Sequence, residues 1–106
     1  MNLYKENKTK ILELLEIAGK LEENGADVFV EYSGHVSMLE IKIYKYGWNS
    51  RILPEYSKHI FLGKKGSDEQ FYIVITDIKK LTINLQIENL KKQLEEIAEI
   101  EEVEED

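Results

Sequence analysis

Glu40 and Lys42 come nearest to a chemically useful pair. They stand two apart in a run with the alternating pattern of a strand, so both side chains point to one side. Asp27 lies thirteen residues before Glu40, in a second run of strand formers. The plainest account of Glu40 and Lys42 is a solvent-facing charge pair. His35 and His59 are the only histidines, and either could act as a base. There is no Cys nucleophile and no Ser in a nucleophile elbow, so both read as ordinary surface residues. Gly63-Lys64-Lys65-Gly66-Ser67 lacks the spacing of a phosphate loop and reads as a turn.

In the combination of Asp27 with Glu40-Ile41-Lys42, and in the order helix, strand, strand, residues 10–45 resemble the metal-binding core of restriction-endonuclease-like nucleases. The resemblance implies that Asp27 and Glu40 would hold magnesium and that Lys42 would steady the attacking water. The later helix and strand of that family are not evident in the rest of the chain. The nuclease is therefore ranked behind two binding functions, and no catalytic residue, metal or cofactor is expected.

A second constellation is aromatic and basic. Tyr44, Tyr46, Trp48 and Tyr56 cluster in sequence with Lys42, Lys45 and Arg51. Such residues can stack on and neutralise a single nucleic-acid strand. They can equally form a protein-binding hot spot, where Trp, Tyr and Arg dominate. The bland alternative is that Trp48 tucks into the core edge while the tyrosines cover the sheet.

The charge distribution bears on that choice. Net charge is −7, but residues 95–106 hold eight acids and no base, leaving 14 Lys and Arg against 13 acids elsewhere. A near-neutral body with an acidic end argues against strong nucleic-acid affinity. The acidic end, with Glu95, Glu99 and Glu102 near one helical face, admits three readings. It is a solvated, frayed terminus, a shield for the chain's own basic patch, or a DNA mimic for a basic groove on a partner.

The elements that must position these residues follow from periodicity. Ile11, Leu14, Leu15, Ala18 and Leu21 recur at spacings of three and four, predicting a helix over 3–23 closed by Asn24-Gly25. Residues 26–32 and 36–46 read as a hairpin about Ser33-Gly34-His35, with Leu39, Ile41 and Ile43 alternating against Glu40, Lys42 and Tyr44. Residues 47–57 read as a surface loop, 59–62 as a third strand and 71–76 as a fourth. Residues 77–87 suit either a helix or a fifth strand. The alternation of Leu81, Ile83, Leu85 and Ile87 favours the strand. From Glu88 a helix carries Ile87, Leu90, Leu94 and Ile97 as a packing stripe.

The expected fold is α+β: one domain over 1–106, with an antiparallel four- or five-stranded meander and an N-terminal and a C-terminal helix packed on one face. The opposite face would carry Lys42, Tyr44 and Tyr46. Its 106 residues fit one modest core, and the absence of Cys suits a reducing compartment. With no apolar leader at the N-terminus and no apolar run of membrane-spanning length, the expectation is a cytoplasmic protein that does not enter a membrane.

In size, charge and lack of Cys the chain is similar in general character to phage-encoded inhibitors of bacterial defence systems, including anti-CRISPR proteins. The leading expectation is a non-enzymatic protein-binding module that sterically blocks a nucleic-acid-processing protein. Its contacts would come from Lys42, Tyr44, Tyr46, Trp48, Arg51 and Tyr56, or from Glu95, Glu99 and Glu102. The partner would present a basic or nucleic-acid-binding surface, and the C-terminal helix stripe could support a homodimer. A single-stranded nucleic-acid-binding module is the first alternative, and the nuclease using Asp27, Glu40 and Lys42 the second.

Overall fold

The computed structural model describes residues 3–105, with side-chain environments for 5–101. One helical turn, α1 (Leu3–Glu6), precedes α2 (Lys8–Glu22). The single predicted helix is therefore interrupted at Asn7, whose φ of −104° and ψ of 10° leave the helical region. Its buried stripe is Ile11, Leu14, Ile17, Ala18 and Leu21. Ile17 replaces the expected Leu15, which is exposed on the flank. Gly25 takes φ +103°, a conformation that favours glycine, and the chain turns there into the sheet.

The sheet has three strands in the order β1 (Asp27–Ser33), β2 (Met38–Tyr44) and β3 (Tyr56–Phe61), all antiparallel. Leu39, Ile41 and Ile43 of β2 are buried, and their cross-strand partners include Val28, Val30 and Ile60. These residues pack with Ile11, Leu14, Ile17 and Leu21 of α2 and with Phe71, Val74, Ile78 and Leu85 in one core. The alternating pattern of β2 is thus realised as a face toward the helices and a face away from them.

The predicted fourth and fifth strands do not form. Residues 67–105 are one helix, α3 (Ser67–Glu105). Gly66 at φ +91° starts it, and Asp68 and Glu69 in its first turn suit the positive end of the helix dipole. The misleading alternation has a physical origin. Phe71, Val74, Ile78 and Leu85 face the body, while Ile83, Ile87 and Leu90 are exposed on another side of the same helix. Two helical stripes interleave between 81 and 87 and imitate a period of two. Likewise the β-branched run Ile73-Val74-Ile75-Thr76 is held helical by packing of Val74 and Ile75 in the core.

At about 1.5 Å per residue a helix of this length spans roughly 58 Å. The molecule is correspondingly elongated, 70 × 28 × 17 Å. Asn89 donates a side-chain hydrogen bond to the Asn24 carbonyl at 3.2 Å. Every residue from Leu90 to Glu101 is exposed, so α3 runs on beyond the body as an arm. Among the described residues no helix is long and apolar enough to cross a membrane.

Candidate functional site

Strand alternation places Asp27, Phe29, Glu31, Glu40, Lys42, Tyr44 and His59 on the sheet face turned away from the helices. Pairing aligns them in rows: Glu31, Glu40 and His59; Phe29, Lys42 and Ser57; Asp27 and Tyr44. One row is polar. Glu40 lies 3.0 Å from the Lys42 ammonium and 2.7 Å from Nε2 of His59. The Lys42 hydrogen bond, followed by that of His59, holds the Glu40 carboxyl below its ordinary range, and Glu40 in turn raises Lys42. The expected charge pair is present, with His59 as a third member.

Asp27 does not join it. Its cross-strand neighbour is Tyr44, four residues along β2 from Glu40. At about 3.3 Å per residue this separates the two backbones by roughly 13 Å along the strand. Magnesium holds its oxygens at about 2.1 Å, so one ion does not bridge carboxylates so placed. Among the described residues no group of three Asp, Glu or His side chains is arranged to hold a metal.

Asp27 has a different task. Its Oδ2 accepts the backbone N–H of Trp48 at 2.6 Å. Gly47, at φ +98°, makes the reversal that brings Trp48 there. The indole meets the Phe29 ring edge-on at 6.5 Å, and Phe29 meets Tyr44 in a T-shaped contact at 5.6 Å. Tyr44 is buried in this stack, whereas Trp48 keeps 56% of its surface exposed. Trp48 is thus fixed by its backbone and one ring contact yet open to a partner, not tucked into the core edge. The loop that follows exposes Ile52 and Leu53 as well.

The structure splits the aromatic and basic cluster. Lys42, Tyr44 and Trp48 share the open face. Tyr46 turns toward α3, where its hydroxyl donates to Glu88 at 3.3 Å and the Lys45 ammonium pairs with the same carboxylate at 2.8 Å. The Lys45 hydrogen bond, with that of Tyr46 adding to it, holds the Glu88 carboxyl below its ordinary range. The expectation that Tyr46 lies beside Lys42 and Tyr44 is corrected, because the strand ends at Tyr44 and the alternation lapses with it. Tyr56 also leaves the group. It points to the core side of β3 and donates to Asp77 of α3 at 2.8 Å. Burial, and then the Asp77 carboxylate, push its phenol well above the ordinary value. Arg51 is exposed in the loop, and its backbone N–H donates to the Asn49 side chain at 2.9 Å.

Glu95 and Glu99 are exposed on the projecting part of α3, away from the aromatic stack in the chain's order of elements; the Glu102 side chain lies outside the described residues. Phe29 is the member of the site that motif reasoning missed. Its signal was present, since an aromatic at 29 falls on the side of Glu31 rather than that of Val28 and Val30. No protein-family model matches the chain, and no curated protein or solved structure does so either.

Proposed function

We propose that the protein is a non-enzymatic protein-binding module that contacts its partner through the Trp48 platform. The observation that carries this reading is an exposed indole held in place by Asp27 and Phe29. A fixed aromatic loses little freedom on binding, and desolvating Trp contributes strongly at interface centres. The open face adds Glu31 and Glu40 around a Lys42 already paired to Glu40, so its charge favours a basic partner surface. A steric block of a nucleic-acid-processing protein in the cytoplasm, in the manner of phage-encoded inhibitors, fits both features.

The Phe29, Trp48 and Lys42 grouping also supports a second reading, stacking of single-stranded nucleic acid. The carboxylates beside Lys42 weigh against it, because they oppose phosphate.

The test uses the tagged protein and its Trp48→Ala variant as baits in bacterial lysate, with and without nuclease treatment. A protein retained by the wild type after nuclease treatment and lost with Trp48→Ala supports the reading. Retention of that protein by Trp48→Ala, or capture of nucleic acid alone, overturns it. Quenching of the sole Trp by added oligothymidylate would favour the second reading.

A further inference from the structure

The exposed side of α3 carries Ile83, Ile87, Leu90, Leu94 and Ile97, all open to solvent. Their spacing is four, three, four and three, the 3.5-residue average of a helix that packs along another helix. The stripe lies on nearly the opposite side of α3 from Phe71, Val74, Ile78 and Leu85, which the body buries. Intramolecular packing therefore accounts for one apolar stripe of α3 and leaves this one uncovered.

Left alone, the arm has little to hold it helical. It buries no side chain, and acids at a helix C-terminus oppose the dipole. A partner helix would supply what is missing, and the charges along α3 indicate which one. Lys79, Lys80, Lys91 and Lys92 lie before the acidic turns, with Glu88 among them; Glu95, Glu96, Glu99 and Glu101 follow without a base. The helix is thus basic in its middle and acidic toward its end.

We infer that two copies of the chain pair through α3 in antiparallel orientation, with Ile87 against Leu90 and Ile83 against Leu94 of the second copy. This register sets residues 95–101 alongside residues 76–82 of the other helix, where Lys79 and Lys80 stand. A parallel pair would instead lay eight acids beside eight acids. Sliding the antiparallel pair one heptad toward the C-terminus would set residue 92 level with residue 92 of the second copy, crowding the Lys91 and Lys92 pairs of the two chains together. Because the body covers the other side of α3, the two bodies hang on the outer faces of the pair. The acidic end then has a charge partner within the dimer. This surface is separate from the Trp48 platform.

The chain has no Cys, so a single Glu99→Cys substitution accepts one nitroxide per copy. In the antiparallel register residue 99 lies opposite residue 78, which puts the two labels about 32 Å apart along the axis. A doubled mass by light scattering with one interspin distance in the range of about 30–35 Å supports the inference. A distance under about 20 Å would mean parallel helices and overturn it. A monomer mass with no dipolar signal across the accessible concentration range overturns it too. The double variant Leu90→Glu, Leu94→Glu should be monomeric with the body intact, as judged by unchanged Trp48 emission. Self-association that survives in this variant would place the contact elsewhere and reject the stripe. Added salt should weaken the pairing, and strengthening by salt would reject the charge argument.

Discussion

The Asp27 carboxylate accepts the Trp48 backbone N–H at 2.6 Å, across 21 residues of sequence. The acid that motif reasoning grouped with Glu40 and Lys42 is instead the tether of the exposed indole. Asp27→Ala should free the 47–55 loop. A hydrogen bond to a charged acceptor contributes about 1.5–3 kcal/mol when buried, and this exposed one should fall at or below the lower end. Collisional quenching of Trp48 should rise in Asp27→Ala and partner binding should weaken, with Asp27→Asn between that variant and the wild type. Magnesium or a chelator should leave the wild-type emission unchanged. A magnesium-dependent change lost in Asp27→Ala would restore a metal role to the residue.

A contrast within α3 checks its two stripes. Ile78 is fully buried against the body and Ile83 is 55% exposed. Ile78→Ala should cost about 2–5 kcal/mol in denaturant unfolding. Ile83→Ala should cost well under 1 kcal/mol at protein concentrations too low for pairing, roughly the surface range. Equal costs would contradict the helical placement of these residues.

That contrast also shows where the sequence was legible. The hairpin could be read because β2 has one helix-covered face and one open face, which writes a period of two into Leu39, Ile41 and Ile43. The stop at Gly25 could be read because few residues other than Gly take φ +103° easily. Residues 71–87 misled because local strand propensity in Ile73-Val74-Ile75-Thr76 and two interleaved helical stripes both imitate strands, while the long-range contact of Phe71 and Ile78 with the core decides the outcome. In the candidate site, Trp48 and Lys42 could be named from composition. The tether by Asp27 and the stacking of Phe29 on Tyr44 depend on cross-strand register, which the spacing of residues in the chain does not reveal. The departures of Tyr46 and Tyr56 depend on α3 lying beside the ends of β2 and β3.

The Tyr56–Asp77 bond joins β3 to α3 and gives a pH signature. Burial, and then the Asp77 carboxylate, raise the Tyr56 phenol above its ordinary value of 10.0. A group whose pKa is raised by folding contributes stability that is complete below the unfolded value and is lost as pH climbs through the folded one. The contribution of this bond should therefore hold at neutral pH and fade only above pH 10. Tyr56→Phe should cost about 1 kcal/mol at neutral pH, the scale of one hydrogen bond. In a spectrophotometric titration one of the six tyrosines should ionise late in the wild type, and that late step should vanish in Tyr56→Phe. A late step persisting in the variant would assign it to another tyrosine.

Truncation after Leu94 separates the two surfaces. Residues 95–101 bury nothing, so their removal takes away helical signal without loosening the core. In dilute solution the melting midpoint of the body should stay within about 0.5 kcal/mol equivalent of the full chain, the usual range for surface changes. Partner binding through the Trp48 platform should persist in the truncated chain. Trp48→Ala should cost about 2 kcal/mol or more of partner binding, the threshold for an interface hot spot, while leaving the arm helical. The reverse pattern, binding abolished by truncation and kept in Trp48→Ala, would move the partner contact to Glu95, Glu99 and their neighbours. Salt discriminates further. Contact through exposed carboxylates should slow association steeply as ionic strength rises, because such charges are screened over about 8 Å at physiological salt. Contact through the indole should show a shallower dependence, since desolvated aromatic surface does not respond to screening. The expected result is the shallow one, with the truncated chain and the full chain following the same salt curve.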